Sequence, residues 1–433
     1  MNNFMKIGII GAGLSGLSLA FMLKEYDVDV FEASDRVGGL LKSESIDGYT
    51  FDIGGSHILF SKDRKVLDEM LRVVGSVLKH RRRTYIHYKG NFIKYPFENG
   101  IYMLSKEERF EILIDFFKNV LKRERGELKK PSNLLEWFYY VFGRAITEKY
   151  LKPYNEKLWK RDLREISLEW VDNRIPNPPI EDVFKSCVGI PTEGYKHQLT
   201  FYYPLKGGIE MLIRGILRRI EHPIWTERRI ESVSLEDGKV ILNGEHEFDL
   251  VVSTAPIDLT VRLFKDWKDV EGLIDLLDYN SLTVVGLGVR GKTPNFHWVY
   301  VPDEDIVFHR VAFLHNYSPN MCPENRSNII VEISRRPDEK SKNLIEDVLD
   351  GLRRMGFDFD VEVCGIWNWD YAYIVYNHSY RDVTNVLRKF LIERKVIPFG
   401  RFGFWEYLNM DAVWKSAKDF VWRLTDEGYR CNT

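Results

Sequence analysis

The chain has 433 residues, of which 44% are hydrophobic and 29% are charged, and its formal net charge is -2. This length allows two or three structural units that share a core, and the near balance of charge argues against nucleic acid as a main partner. Four scattered cysteines indicate no zinc site and no disulfide framework, and no apolar run reaches the ~20 residues that cross a bilayer.

The first predicted elements are a strand, a helix and a second strand. They correspond to the stretches "MKIGII", "LSGLSLAFMLKEY" and "VDVFEA". The turn between the first strand and the helix is a G-x-G-x-x-G motif, made of Gly11, Gly13, Leu14, Ser15 and Gly16 with one alanine. Its glycines permit a tight turn, approach of the backbone to a pyrophosphate, and close packing of helix and strand. The motif therefore predicts dinucleotide binding at the helix N-terminus.

A carboxylate follows at the expected distance. Glu32 ends the second strand about twenty residues after the glycine turn, where an acidic side chain binds a ribose hydroxyl in such folds. This context strengthens the glycine motif, which is weak evidence by itself.

The next region no longer shows a nucleotide-binding pattern and predicts helices instead. The basic runs "KHRRRTY" and "LKRERGELKK" are interpreted as solvated faces. Ser105 and Glu108 form a predicted capping box ahead of an amphipathic helix, and "NLLEWFYYVFGRAITEKYL" predicts another. Together they indicate an inserted helical subdomain over residues 100–184.

The second half of the chain predicts further strands of the first domain and then a separate sheet. "ESVSLEDGKVILNGEHEFDLVVSTAP" predicts strands with a turn at Asp237-Gly238, and the segment from Leu282 to Trp369 is mostly strand with one helix. We predict an α/β protein with a discontinuous Rossmann-type dinucleotide-binding domain (1–90, 185–278 and 395–433). The helical subdomain is inserted into it, and an antiparallel-sheet substrate domain covers residues 279–394.

The residues after the second strand point to one dinucleotide. The stretch "ASDRVGGLL" resembles the extended fingerprint of the flavin monooxygenase and amine oxidase superfamily, in which a second glycine pair lets the backbone pass FAD. "FDLVVSTAP" similarly resembles the strand and turn that close the FAD site there. The resemblance implies FAD as cofactor, with contacts from Ala33, Arg36, Gly38, Gly39 and Leu40 in addition to the first glycine motif and Glu32.

Further motifs along almost the whole chain resemble one family, UDP-galactopyranose mutase. They are, in order, "DIGGSHILFS", "NFIKYPFENGIYML", "YLKPYNEKLW", "TFYYPLKGG", "HWVYVPDEDIVFHRVAFLHNYSP" and "GRFGFWEYLNMD". The resemblance implies interconversion of UDP-galactopyranose and UDP-galactofuranose without net redox, through a covalent adduct between reduced FAD and the sugar. It also implies a UDP-sugar as substrate. The charge balance, the lack of a membrane-spanning apolar run, the histidine spacing and the scattered cysteines predict no nucleic acid, membrane or metal partner and a cytoplasmic protein. The oligomeric state stays open, a homo-oligomer included.

The resemblance also implies roles for individual residues. Catalytic roles fall to His57, Arg174 and Arg310, the two arginines as clamps on the diphosphate. The implied substrate contacts besides these arginines are Tyr95, Phe97, Asn155, Tyr300, Tyr373 and Tyr407. The implied FAD contacts outside the first domain's motifs are His57 with Phe60, and Arg401, Asn409, Met410 and Asp411 of the C-terminal segment.

Two departures from the family pattern leave alternatives open. Glu98 follows "YPF" where the family tends to carry an amide. Because a carboxylate cannot donate a hydrogen bond to a uracil carbonyl, the identity of the nucleotide base stays open. Ile374 stands where the family usually has proline. The alternatives are a redox flavoenzyme of the amine oxidase or protoporphyrinogen oxidase type, and a flavin-binding protein without catalysis.

Overall fold

The computed structural model describes residues 5–171, 175–194, 199–291, 293–339 and 343–426. The strands within these ranges are, in chain order, β1 (Lys6–Ile10), β2 (Asp27–Phe31), β3 (Ser43–Ile46), β4 (Tyr49–Asp52), β5 (Val77–Arg81), β6 (Thr84–Tyr88), β7 (Asn91–Lys94), β8 (Thr200–Pro204), β9 (Ile224–Trp225), β10 (Val233–Glu236), β11 (Lys239–Leu242), β12 (His246–Phe248), β13 (Leu250–Ser253), β14 (Asp278–Arg290), β15 (Trp298–Tyr300), β16 (Arg310–Phe313), β17 (Arg326–Arg335), β18 (Asp360–Val375) and β19 (Val396–Pro398).

The α-helices of the same ranges are, in chain order, α1 (Leu14–Met22), α2 (Arg64–Val74), α3 (Phe97–Gly100), α4 (Lys106–Glu124), α5 (Leu134–Ile146), α6 (Lys152–Trp159), α7 (Ile180–Cys187), α8 (Met211–Leu217), α9 (Ile257–Val261), α10 (Glu271–Ile274), α11 (Leu344–Arg354), α12 (Tyr380–Ile392), α13 (Gly400–Gly403) and α14 (Met410–Asp426). None of these helices is both long enough and apolar enough to pass through a lipid bilayer.

A parallel sheet forms the nucleotide-binding layer, with strand order β19-β13-β1-β2-β9. The strands β1 and β13 are almost wholly buried, as expected for a parallel sheet covered on both faces. In register, Ile10 at the end of β1 pairs with Phe31 of β2 and Ser253 of β13. The carboxyl ends of these strands therefore meet at the first glycine turn, where ligands bind in such sheets.

A second, larger sheet has the strand order β18-β14-β17-β16-β15-β6-β7. Its long central strand β14 pairs antiparallel with both β17 and β18, as the sequence predicts, but β15 and β6 run parallel. The sheet is therefore mixed. Thr84–Lys94 joins this sheet through β6 and β7 and does not join the parallel sheet, although the sequence pattern groups residues 1–90 with the first domain.

The helices α4 to α7 lie between β7 and β8 in the chain. Ser105 caps α4 by accepting a hydrogen bond from the backbone N–H of Glu108 at 3.2 Å. The Glu108 carboxylate does not accept the second capping bond from the Ser105 N–H, because it accepts from Tyr88 and Lys89 instead. Only one half of the predicted capping box is thus present. Asp115 of α4 fixes α5 by accepting from the Ala145 N–H at 2.8 Å.

The C-terminal segment returns to the parallel sheet. Trp414 of α14 packs on Phe21 of α1 at 5.7 Å between ring centroids and donates to Glu69 of α2 at 3.0 Å. Gly400 approaches α1 so closely that a β-carbon there would lie 2.1 Å from Ser15 Oγ, and its φ of 76° suits glycine. This docking sets residues 401–411 beside the first glycine turn. The predicted fold class, a Rossmann-type α/β layer with helices and a sheet-rich layer, is confirmed.

Candidate functional site

A cavity of about 940 Å³ lies between the two sheets, lined by residues of both. This volume is near the upper end of the ~300–1,000 Å³ range of ligand pockets. Two parts of its lining differ in chemistry. The glycine wall is formed by Gly11, Gly13, Gly38 and Gly39, and the aromatic wall is formed by Tyr95, Tyr300, Tyr373 and Tyr407.

The glycine wall is shaped by backbone contacts that join its two glycine turns. Gly11, with φ of 96°, donates to Phe31 O at 2.7 Å, and Gly38, with φ of 118°, donates to Ala12 O at 2.8 Å. These bonds bring the two glycine turns together, so that a β-carbon on Gly39 would lie 3.3 Å from Gly13 Cα. The result is a backbone surface at the start of α1 that a pyrophosphate can approach closely.

Glu32 is fixed at the end of β2, where it lines the cavity. Its carboxylate accepts from the Ala12 N–H at 2.9 Å and from the Ser34 N–H and hydroxyl at 3.0 and 2.7 Å. These donors orient the carboxylate and leave it acceptor sites toward the cavity. The arrangement suits a ribose diol.

Arg310 lies on β16 beside the aromatic wall and forms an ion pair with Glu332 of β17. Its Nε donates to Glu332 Oε1 at 2.7 Å, and its Nη2 donates to Oε2. Glu332 also accepts from the Ser56 N–H at 2.9 Å, and its carboxylate is inaccessible to solvent apart from the cavity face. Burial opposes the charge on Arg310, but Glu332 together with Tyr373 and Tyr300 outweighs burial and raises the pKa of Arg310 above its usual value.

Sequence reasoning missed Glu332, although a signal was present. It is a single carboxylate in the otherwise apolar strand stretch "NIIVEIS". A charged group at a buried strand position requires a partner, which makes such a residue a candidate for a functional site.

Tyr373 connects this ion pair to a buried histidine. Ser334 N–H donates to His309 Nδ1 at 3.3 Å, so the ring proton is on Nε2, which faces the Tyr373 hydroxyl at 3.4 Å. The Tyr373 hydroxyl in turn donates to Glu332 Oε2 at 3.5 Å. Burial lowers the pKa of His309 and raises the pKa of Tyr373, so both groups stay neutral. The Tyr373 ring is stacked parallel to Tyr407, with centroids 6.4 Å apart.

Two further aromatic contacts extend the wall. The ring of Tyr300 lies 4.8 Å from that of Tyr95 and 5.3 Å from that of Tyr154. The Arg82 guanidinium lies over the Tyr95 ring at 5.1 Å and lines the cavity. Arg82 belongs to the run "KHRRRTY", so the interpretation of that run as a solvated face is wrong for this residue. Its neighbour Arg81 does fit that interpretation, since it is largely exposed.

His57 lines the cavity with its ring fixed by the backbone. Its Nδ1 lies 2.9 Å from Gly55 O, and because a carbonyl only accepts, Nδ1 carries the proton. Burial lowers the pKa of His57 to about 4, against the raising effect of Glu332. The ring is therefore neutral at pH 7, and Nε2 offers a lone pair.

The C-terminal segment contributes a second arginine to the cavity. Arg401 donates from Nη2 to Ala372 O at 2.7 Å and stacks on the Tyr407 ring at 4.0 Å. Its Nε is buried and has no hydrogen-bond partner among the described residues. The same is true of Trp298 Nε1, which also lines the cavity. Two buried donors without partners are typical of a site that a polar ligand completes.

Most of the predicted site residues line this one cavity. They are Gly11, Gly13, Leu14, Ser15, Glu32, Ala33, Gly38, Gly39, Leu40, His57, Phe60, Tyr95, Tyr300, Arg310, Tyr373, Arg401, Tyr407, Asn409, Met410 and Asp411. The chain therefore brings together, in a single space, residues that are up to 400 positions apart in sequence.

Two predicted cofactor contacts lie behind the wall. Gly16 packs against the first turn, where a β-carbon would meet Gly11 O at 1.9 Å, so its role is to let helix and strand approach. Arg36 turns away from the cavity to pair with Glu210 at 3.0 Å and donate to Ser43 O. Arg36 is absent from the lining of the cavity because a carboxylate partner holds its side chain elsewhere, and its predicted contact with FAD stays a prediction.

Two predicted substrate contacts are also displaced. Phe97 is fully buried with its ring stacked on Tyr150 at 5.3 Å, so it supports the wall from behind. The Asn155 side chain donates to Leu151 O at 2.7 Å within its own helix. Neither residue lines the cavity, and direct substrate contact stays a prediction for both. Arg174 lies outside the described residues.

The residues of the cavity fit FAD. The glycine wall at the start of α1 suits a pyrophosphate, Glu32 suits a ribose, and the orphan donor of Arg401 suits a polar group of the cofactor. The aromatic wall with Arg310 and Arg82 forms a second part of the cavity, which carries guanidinium groups and phenolic hydroxyls.

The chain matches a protein family, individual proteins by sequence, and solved structures by fold. A family model described as "Flavin containing amine oxidoreductase" matches residues 14–404. The chain is 45% identical over 449 aligned positions to a mitochondrial protoporphyrinogen oxidase of Nicotiana tabacum, covering 89% of this chain and 88% of that protein. It is 26% identical over 316 residues to coproporphyrinogen III oxidase of Staphylococcus aureus, covering 64% of this chain and 66%, just under two thirds, of that enzyme. A crystal structure of reduced UDP-galactopyranose mutase superimposes with a TM-score of 0.89 at 24% identity, covering 98% of this chain and 94% of that one.

Proposed function

The chain belongs to the family of flavin-containing amine oxidoreductases, and from this premise we propose that it is a flavin-dependent nucleotide-sugar mutase. The proposed reaction interconverts UDP-galactopyranose and UDP-galactofuranose. The cofactor is FAD. The proposal combines family membership with the chemistry of the aromatic wall.

The residues of the glycine wall are proposed to hold the FAD pyrophosphate, with Glu32 on the ribose of the adenosine half. Arg401, Met410 and Asp411 of the C-terminal segment are proposed to cover the remainder of the cofactor. His57 faces the same space with a neutral ring, so it can accept a hydrogen bond through Nε2 but brings no charge.

One observation supports the mutase proposal above the others. Arg310 is held at the cavity by two contacts to Glu332, and the Tyr300, Tyr373 and Tyr407 rings line the same space. Glu332 takes the Nε and one Nη2 hydrogen of Arg310, and the guanidinium N–H groups that remain, together with the phenolic hydroxyls, suit a diphosphate, whose oxygens accept several hydrogen bonds at once. The resemblance adds Arg174 as a second diphosphate contact.

These side chains would act on the leaving group. In the reduced state FAD supplies the nucleophile that displaces UDP from the anomeric carbon. Arg310 stabilises the charge that develops on the departing diphosphate, and Glu332 keeps the guanidinium in the orientation that this requires. The rings of Tyr95 and Tyr300 lie 4.8 Å apart on the same wall and would shield that part of the cavity from water once a substrate is bound.

The second candidate is an oxidase that acts on a porphyrinogen. The relatives from Nicotiana tabacum and Staphylococcus aureus are named for this activity. An arginine on the wall can bind a substrate carboxylate as well as a diphosphate, so Arg310 and Arg82 are compatible with this candidate too.

Turnover separates the two candidates. The FAD-loaded protein is given UDP-galactofuranose after reduction with dithionite, and separately as the oxidised protein. We expect UDP-galactopyranose to form only after reduction, with no stoichiometric consumption of reductant. Release of hydrogen peroxide in proportion to a porphyrinogen, with no conversion of the sugar nucleotide, would instead establish the oxidase.

A further inference from the structure

Two residues of the cavity wall belong to one β-hairpin, formed by β15 and β16. Tyr300 ends β15, Arg310 begins β16, and the two stand directly opposite each other and line the cavity. Residues 301–309 form the turn between them, which is closed by the Val301 N–H as it donates to His309 O at 2.9 Å. The path of this turn therefore determines where the Tyr300 phenol and the Arg310 guanidinium lie in the cavity.

A lysine of the inserted helices holds this turn. The Nζ of Lys157 on α6 donates to Val301 O at 3.0 Å and to Asp303 O at 2.7 Å. Tyr154 precedes Lys157 by about one turn of the same helix, and its ring lies 5.3 Å from that of Tyr300. The helix α6 thus contacts the hairpin at two places, through an amine at the turn and through a ring at the strand.

Two further side chains contact the turn from other sides. His87 Nδ1 on β6 lies 2.8 Å from Asp303 Oδ2. Arg354 on α11 pairs with Asp305 at 2.6 Å, but both side chains are exposed, so this pair restrains the turn only weakly. Asp303 is therefore held twice, by His87 at its carboxylate and by Lys157 at its carbonyl.

The contacts of Lys157 do not depend on its charge. The side chain is partly buried, and burial lowers the pKa of Lys157 to about 7, against the raising effect of Asp303. A lysine amine that has lost a proton keeps two N–H donors, enough for the two carbonyls. Loss of the amine would remove one donor from Val301 O and one from Asp303 O, which loosens the turn.

We propose that Lys157 is a positioning residue for a diphosphate site, because it holds the turn on α6 and thereby places Tyr300 and Arg310. Lys157 is absent from the lining of the cavity, so it acts through the hairpin. Glu332 orients the Arg310 guanidinium, whereas Lys157 fixes the backbone from which that side chain extends. The nature of the ligand rests on the proposed function, but the restraint on the turn does not.

Amide hydrogen exchange of the FAD-loaded protein, followed by mass spectrometry without substrate, measures this restraint. Lys157→Met has a side chain of similar length but no donor. It should exchange at least about tenfold faster over residues 299–312, with no change in the parallel sheet. Lys152→Met is the matched control, because Lys152 lies on the same helix but pairs with Glu148 at 3.8 Å. It should exchange like the wild type.

Titration of UDP into the same proteins measures the positioning. Lys157→Met should weaken UDP binding about tenfold, and Lys152→Met should leave it unchanged. Because Lys157 acts through the hairpin, its effect should shrink once Arg310 is lost. Adding Lys157→Met to Arg310→Met should weaken UDP binding less than about threefold further. Thermal unfolding verifies that each variant is folded.

Three results would overturn the inference alone: unchanged exchange over residues 299–312 in Lys157→Met, equal UDP affinity of Lys157→Met and Lys152→Met, or an undiminished effect of Lys157→Met in the Arg310→Met background. A wild type that does not bind UDP overturns the proposed function and this inference with it. The two failures are distinguished because the wild type binds UDP in the first case and not in the second.

Discussion

Arg310 and Glu332 stand directly opposite each other on neighbouring antiparallel strands and are joined by two parallel contacts at the cavity wall. Because Glu332 is almost inaccessible, loss of its partner leaves a buried carboxylate without a counter-charge. The pair is thus part of the stability of the sheet as well as of the site.

The first prediction concerns this pair. Arg310→Met should lower the free energy of unfolding by about 3 kcal/mol, and adding Glu332→Gln should recover most of that loss, since the stranded charge is removed. Urea unfolding of the cofactor-free variants measures both changes. Arg290→Met is the control, because its pair with Glu362 is exposed and should contribute less than about 1 kcal/mol. Equal losses for Arg310→Met and Arg290→Met would contradict the prediction.

The second prediction separates the roles of two glycines. Gly13 has a φ of -76°, and the nearest atom to an added β-carbon is Gly39 Cα at 3.9 Å. Gly13→Ala should therefore change the free energy of unfolding of the cofactor-free chain by less than about 1 kcal/mol. It should weaken FAD binding at least about tenfold, because the methyl group fills the approach of the pyrophosphate.

Gly16→Ala should behave differently. Its β-carbon would lie 1.9 Å from Gly11 O, so the helix must shift and stability should fall by about 2 kcal/mol or more before any cofactor is added. Calorimetric titration with FAD and denaturant unfolding give the two readouts. If Gly13→Ala retains FAD as tightly as the wild type, the glycine wall is not the pyrophosphate site.

The third prediction concerns Arg82, which stacks on Tyr95 at the cavity. Arg82→Gln should weaken UDP binding about tenfold, corresponding to the loss of one charge-assisted contact of about 1.4 kcal/mol. Arg81→Gln is a matched control from the next position, since Arg81 is 72% exposed and pairs with Glu193 at 2.9 Å. Titration of UDP into the FAD-loaded proteins measures both. Equal weakening in the two variants would show that only net charge matters.

The fourth prediction follows from the pKa of His57, which burial lowers from 6.5 to about 4. Between these values the unfolded chain binds a proton that the folded chain does not, so the stability that the neutral ring contributes is complete above pH 6.5 and is lost as the pH falls toward 4. The full difference corresponds to about 3 kcal/mol, and because the ring is partly exposed we expect about 2 kcal/mol.

His57→Gln tests this directly, because glutamine can donate to Gly55 O but does not titrate. The free energy of unfolding of the variant should decline less steeply than that of the wild type between pH 7 and pH 4.5. Parallel curves for the two proteins would mean that His57 is protonated equally in the folded and unfolded states.

The sequence predicted the nucleotide-binding layer well because its signals are local. The first glycine motif, Glu32 and the second glycine pair lie within a short stretch, and each reports a backbone requirement that few other arrangements share. The apolar run that became β13 extended the same layer. The cofactor is therefore the part of the site that the sequence specifies most directly.

The substrate-facing part was harder to predict because it depends on pairing between distant strands. Nothing in the stretch "KHRRRTY" distinguishes Arg82 from Arg81. Which of the two arginines reaches the cavity depends on where the chain leaves β5, and β5 ends at Arg81. Glu332 acquires its role only when β16 is placed beside it. Phe97 and Asn155 are assigned to the substrate by resemblance, but a ring stack and a helix carbonyl hold their side chains, and neither residue lines the cavity.

The wall of the cavity is assembled from two distant parts of the chain. The glycine wall lies at the start of α1, whereas Arg401 and Asp411 belong to the C-terminal segment that docks on α1 through Trp414 of α14. Loosening of α14 from α1 would therefore open one side of the cavity and leave the glycine turns intact.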